Sequence, residues 1–190
     1  MLRGMRHAAA LLALPLISLT GCGWLFGDDD GGGDSPCSDD IFACDDDTSK
    51  FMEDPSCTLT GDLDLVVGQG ETEFSPLAAG ELPDVEFGFQ GGQHFWGAIQ
   101  VRNPDLERRQ LLIRIKADFC NSDCEQASSW TSDNIREMVA DESTMTVTAD
   151  GYFEQTRMLV TVYDWAYAEQ RRVEVLVTDP CGRQGFATLP

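Results

Sequence analysis

Leu111-Leu112-Ile113-Arg114-Ile115-Lys116-Ala117-Asp118-Phe119 decides the fold class. In an extended chain successive side chains point to opposite faces, so Leu111, Ile113, Ile115, Ala117 and Phe119 share an apolar face. Arg114, Lys116 and Asp118 point the other way. That pattern belongs to a strand whose sheet has one dry and one wet face, as antiparallel sheets do. The same period recurs to either side. Leu59, Gly61, Leu63, Leu65 and Val67 share a face of a first strand, ended by Gly68-Gln69-Gly70. Phe74-Ser75-Pro76-Leu77 reads as a short edge segment carrying a proline. Phe95, Gly97, Ile99 and Val101 alternate with Trp96, Ala98, Gln100 and Arg102 until Asn103-Pro104 stops them. Met145 and Val147 lead to Asp150-Gly151, a hairpin signal, and Met158, Val160 and Val162 follow in the return strand. Val173, Val175 and Val177 run into Asp179-Pro180-Cys181-Gly182, and Phe186 to Leu189 closes the series.

Only Ser132 to Ala140 departs from this period. Ile135, Met138 and Val139 stand at i, i+3 and i+4, which predicts a short helix. Seven or eight short strands separated by turn signals predict an all-β chain: an antiparallel β-sandwich of the immunoglobulin or fibronectin type. A closed β-barrel is the alternative. The spacing lacks the Cys…Trp…Cys core of antibody domains.

The N-terminus has a different texture. Arg3 and Arg6 precede an apolar run from Ala8 to Leu19, the layout of a secretory signal. The run is too short for a membrane-spanning helix, which needs about 20 apolar residues. It closes on Leu19-Thr20-Gly21-Cys22, which resembles the lipobox of bacterial lipoproteins. The resemblance implies that residues 1–21 are a signal peptide and that Cys22 is lipidated, anchoring the chain to a membrane of the cell envelope. Gly23 stands where an Asp would favour inner-membrane retention, so the outer membrane is implied. Residues 22–56, with Asp28-Asp29-Asp30-Gly31-Gly32-Gly33-Asp34 and Asp45-Asp46-Asp47, have the composition of a flexible acidic tether. An EF-hand register starting at Asp28 lacks the oxygen ligand at its fifth position and the closing Glu, so no metal is assigned there. Residues 57–190 are left for the sandwich.

The whole chain has formal charge −20, and losing Arg3 and Arg6 with the signal leaves eleven cations against 33 acids. Such a surface repels nucleic acid, because it offers few cations to release counterions from phosphate. Six cysteines remain besides Cys22, an even number suited to an oxidising compartment. Local closure predicts Cys37–Cys44 and Cys120–Cys124, which leaves Cys57 with Cys181. A zinc site is disfavoured, since only one histidine, His94, lies beyond the signal.

Three segments are similar to ones in a group of uncharacterised bacterial lipoproteins: Phe74-Ser75-Pro76-Leu77, Gly88-Phe89-Gln90-Gly91-Gly92-Gln93-His94 and Asp179-Pro180-Cys181-Gly182-Arg183. The resemblance implies a β-sandwich on a lipid tether and attaches no activity to it.

Catalytic signatures are sparse. A Ser-His-Asp arrangement would have to use His94, and no Gly-x-Ser-x-Gly elbow marks its serine. Cys120-Asn121-Ser122-Asp123-Cys124 lacks the spacing of a redox pair. No phosphate-cradling loop or dinucleotide fingerprint is present, so no cofactor is assigned. The candidate binding residues are Gly91, Gly92 and His94 before one strand, and Trp165 and Tyr167 on a loop between two others. Aromatics on a sandwich loop are the makings of a binding surface, or Trp165 folds back onto the core. These features predict a non-catalytic, membrane-anchored envelope protein that acts in binding or assembly through loops and strand edges, with another envelope protein as its candidate partner. A hydrolase using His94 or a carboxylate pair is one alternative reading, and a calcium-dependent adhesion module is another.

Overall fold

The computed structural model describes residues 48–88 and 92–190. The expected signal peptide, Cys22, the expected Cys37–Cys44 pair and Gly91 lie outside the described residues. Two antiparallel sheets face each other. The first runs β2 (Ser75–Pro76), β1 (Leu65–Gln69), β4 (Gln93–Val101), β8 (Phe153–Val162), β7 (Thr146–Val147), and β3 (Glu86–Phe87) also pairs with β4. The second runs β10 (Gln184–Leu189), β9 (Gln170–Thr178), β5 (Gln110–Cys120), β6 (Thr131–Asp141). This is the A-B-E-D and G-F-C strand order of an immunoglobulin-type sandwich, with one strand added beside C. The sheets end in separate edge strands, so the barrel alternative does not hold.

The alternation read from the sequence sets the core. Leu111, Ile113, Ile115 and Ala117 of β5 and Val173, Val175 and Val177 of β9 meet Phe95, Ile99 and Val101 of β4 and Met158, Val160 and Val162 of β8, all buried. The first strand is shorter than its pattern. Leu59 is exposed and Gly61 turns the chain with φ +90°, so the ladder begins only at Leu65, although Leu63 already points into the core.

The expected helix over Ser132–Ala140 is instead the strand β6, paired with β5 along its length. Its outward face carries Ile135, Glu137 and Val139. Its inward face is Asn134, Arg136, Met138 and Ala140, so polar residues stand where a strand pattern expects apolar ones. Both have a task between the sheets. Asn134 Nδ2 donates to the Thr161 carbonyl and hydroxyl, each at 2.8 Å, and an Arg136 guanidinium N–H donates to the Leu159 carbonyl. Those carbonyls belong to the side of β8 that β7 is too short to cover, so β6 satisfies an otherwise open edge. Tertiary hydrogen bonding overrides the weak helical spacing.

The chain joins the sandwich at one end. Met52 N–H donates to Gln110 Oε1 at 3.1 Å, Gln110 Nε2 to the Lys50 carbonyl at 2.9 Å, and Asp54 N–H to the Pro180 carbonyl at 2.7 Å. Residues 48–56, expected as the end of the tether, are therefore bonded into the domain. The Cys57–Cys181 disulfide fastens the same place, with Cα atoms 5.2 Å apart. Beside it Asp54 and Asp105 share the Arg108 guanidinium. The hydroxyl of Ser56 at 2.5 Å, followed by Arg108, holds the Asp54 carboxyl down from its ordinary 3.8 to about 2. Burial works to raise Asp105, but the Glu107 N–H and Arg108 outweigh it and its pKa is also lowered.

A depressed carboxylate stabilises above its unfolded pKa and loses that contribution as pH falls through its folded one. The attachment of residues 50–57 should thus persist on acidification below pH 4 and weaken near pH 2. A carboxyl-carbon NMR titration checks this: a midpoint for Asp54 near 3.8 would contradict the clamp.

Asp179-Pro180-Cys181-Gly182-Arg183 turns β9 into β10 at this same end. The buried Asp179 carboxylate accepts the N–H groups of Cys181 (3.0 Å) and Arg183 (2.9 Å) and the Arg183 Nε–H (2.8 Å), while Gly182 takes φ +74°.

Candidate functional site

The opposite end of the sandwich gathers three connections. They are the connection from β3 to β4, the β5–β6 loop (121–130) and the β8–β9 loop (163–169). Register places them together: Phe87 pairs with Gln93, Gln93 with Val162, and Cys120 with Gln170.

Asp118 holds two of these loops. Its backbone carbonyl accepts the Trp165 indole N–H at 2.8 Å. Its carboxylate, 1% exposed, accepts Lys116 Nζ at 2.8 Å and an Arg172 guanidinium N–H at 2.7 Å. Arg172 in turn lies 4.3 Å over the Trp130 ring, whose N–H donates to the Cys124 carbonyl at 3.0 Å. The expected Cys120–Cys124 disulfide closes the same loop. Asp118 does point away from the sandwich interior, as its place in the alternation predicts, but it is buried under the loop rather than solvated. Two cations offset the cost of taking its charge out of water.

Trp165 is fully buried and stacks on Phe95, with ring centroids 5.2 Å apart. Its ring is therefore core, and it offers no surface to a partner. Among the described residues, the aromatics that remain exposed at this end are Tyr167 (84%), Tyr163 (68%) and Phe87 (69%). The backbone N–H of Tyr163 donates to Asp133 Oδ2 at 2.7 Å. Asp133 is the extra residue where the β5–β6 register slips between Ala117 and Asp118, so this bulge fixes the start of the tyrosine loop.

Between the two loops lies a shallow cleft of about 440 Å³, lined by Asp123, Glu125, Gln126, Glu169 and Gln170 with Cys124. Gly92 is exposed, and its carbonyl accepts the Gly88 N–H at 2.8 Å. His94 is half-buried on the outer face of β4. Its Nε2 lies 3.6 Å from Glu86 Oε2 and its ring packs edge-on against Trp96, with centroids 5.4 Å apart. Neither neighbour is a serine or cysteine, so no Ser-His or Cys-His pair forms here among the described residues. Among the described residues, one trio of potential metal ligands converges, Cys57, Asp105 and Cys181. Its two thiols are spent in the disulfide.

Of the expected binding residues, the structure thus brings Gly92, His94 and Tyr167 to one end and withdraws Trp165 into the core. Asp118 and Phe87 were not singled out in the sequence. Only the tertiary pairing reveals them: Asp118 reads locally as an ordinary outward strand position, and no strand pattern marks Phe87.

The class defined by this fold and site is an antiparallel immunoglobulin-type sandwich with an aromatic loop end. No protein-family model matches the chain, and no curated protein sequence matches it.

Proposed function

We propose that this protein is a lipid-anchored module of the bacterial cell envelope that binds another envelope protein through its aromatic loop end. The observation that carries the reading is the exposure of Tyr163 and Tyr167 at the end remote from residues 48–57, where the chain joins the domain. Exposed tyrosines on rigidly held loops supply large contact area at low entropic cost. The Leu19-Thr20-Gly21-Cys22 segment supports the anchor, and the two disulfides suit an oxidising compartment. Asp123, Glu125 and Glu169 beside the tyrosines suit a basic partner surface.

In-cell photo-cross-linking from position 167 tests the reading. One reproducible envelope partner is expected. Tyr163→Ala and Tyr167→Ala should each weaken its capture about tenfold, the scale of a contact worth 1–2 kcal/mol, at unchanged melting temperature. Cys22→Ser should move the protein from the membrane to the soluble fraction. Continued membrane fractionation of that variant would remove the anchor. Cross-links indifferent to both tyrosines would remove the binding face.

A further inference from the structure

The sheet edges differ in how they are protected. Among the described residues, β2 and β7 are two residues long, and β6 is turned against β8 through Asn134 and Arg136. β10 has no such cover. In the β9–β10 hairpin Asp179 N–H donates to the Arg183 carbonyl, which makes 179/183 a hydrogen-bonded pair. The ladder then alternates through 177/185, 175/187 and 173/189. Gln184, Phe186 and Thr188 therefore carry their backbone groups away from β9. The Gln184 carbonyl accepts the Leu63 N–H at 2.9 Å, but no described residue bonds to the backbone of Phe186 or Thr188 on that side. Phe186 and Thr188 are both exposed, so among the described residues nothing covers these four groups.

We propose that β10 pairs with β10 of a second copy of this chain, antiparallel, about a two-fold axis at Ala187. In that register Phe186 exchanges both backbone hydrogen bonds with Thr188 of the partner subunit, and Thr188 with the partner's Phe186. All four open groups are satisfied, and the two four-stranded sheets become one of eight strands. An isologous pairing of this kind closes on itself and leaves no edge to propagate.

The edge suits a second copy of itself, because its outward backbone groups at Phe186 and Thr188 lie symmetrically about Ala187 and the strand that carries them is an uncharged part of an acidic chain. Two chains of formal charge −20 repel over most of their surface, but Gln184-Gly185-Phe186-Ala187-Thr188-Leu189 carries no charge. On the adjoining face Glu137 is paired with Arg114 at 3.3 Å and Glu174 with Lys116 at 3.8 Å, so its acids are already neutralised. Phe186, 63% exposed, stands beside Leu176 at the rim of a shallow groove of about 290 Å³ that Arg114, Lys116 and Glu174 also line. An exposed aromatic on an uncharged open edge is what soluble proteins avoid unless that edge is paired.

Sedimentation equilibrium of residues 22–190 carrying Cys22→Ser, at concentrations up to about 1 mM, tests this. A reversible dimer is expected with Kd on the order of 100 µM, the weak end of specific association. Phe186→Lys places a charge on the edge, and Thr188→Pro removes one outward N–H without touching the β9 ladder. Each should raise Kd at least about tenfold. Ala187→Cys should form a disulfide-linked dimer, because residues on the axis face each other with Cα atoms about 4.5 Å apart. Tyr163→Ala and Tyr167→Ala should leave Kd unchanged, so failure here and failure of the loop-end reading are separable. A monomer at every concentration, or a dimer that ignores Phe186→Lys and resists trapping through Ala187→Cys, overturns the proposal. Should Thr188→Pro not fold, the other two variants decide it.

Discussion

Replacing Cys57 and Cys181 by serine is expected to lower the unfolding free energy by about 5 kcal/mol, read as a fall in the urea midpoint. The bridge closes a loop with a sequence separation of 124 residues. In the chain-entropy model a loop of that length removes about 5 kcal/mol of denatured-state freedom. The Cys120–Cys124 bridge, with a separation of 4, removes only about 2 kcal/mol on the same model. Comparing the two double-serine variants is therefore a sharper test than either alone. The denaturant slope should rise in the first variant, because its unfolded chain is released to expose more surface. Equal losses from the two variants would mean that native-state contacts, and not loop closure, account for the effect.

Trp165→Ala is expected to cost about 3–5 kcal/mol, the range for truncating a fully buried aromatic. The substitution removes the stack on Phe95 and leaves the Asp118 carbonyl without its indole donor. Trp165→Phe restores the stack but not the hydrogen bond, so it should recover most of that loss and stay about 1–3 kcal/mol below the parent. Tyr167→Ala, two residues along the same short turn, should stay within about 0.5 kcal/mol of the parent because its side chain touches little else. Urea denaturation of the three variants checks the contrast. Similar losses at 165 and 167 would contradict the division of this loop into one core residue and one surface residue.

That division shows where sequence reading stops. Trp165 and Tyr167 are alike in type and neighbourhood, and nothing local decides which one turns inward. What holds Trp165 inward is contributed by other strands: the Asp118 carbonyl that accepts its indole N–H and the Phe95 ring on which it stacks. Asp118 itself reads as an outward, solvated position. Its burial follows from a loop ten residues long folding over it and from Arg172, contributed by a strand more than fifty residues away.

Strand β6 makes the same point about secondary structure. A strand between a dry and a wet face announces itself by alternation, and β4, β5, β8 and β9 do so. β6 presents Asn134 and Arg136 to the interior because β8 leaves carbonyls there to be satisfied. The need for polar residues arises only once two sheets are stacked, and it erases the pattern by which the strand would be recognised.

By itself the sequence determined the all-β sandwich and the two described disulfide pairings, Cys57–Cys181 and Cys120–Cys124. Period-two burial and the closure of nearby cysteines are properties of short stretches, so they are legible along the chain. Tertiary structure alone decided that Trp165 is core, that β6 is a strand, and that β10 is left open among the described residues. Each depends on which backbone groups remain unpaired after the sheets have formed, and that accounting exists only in three dimensions.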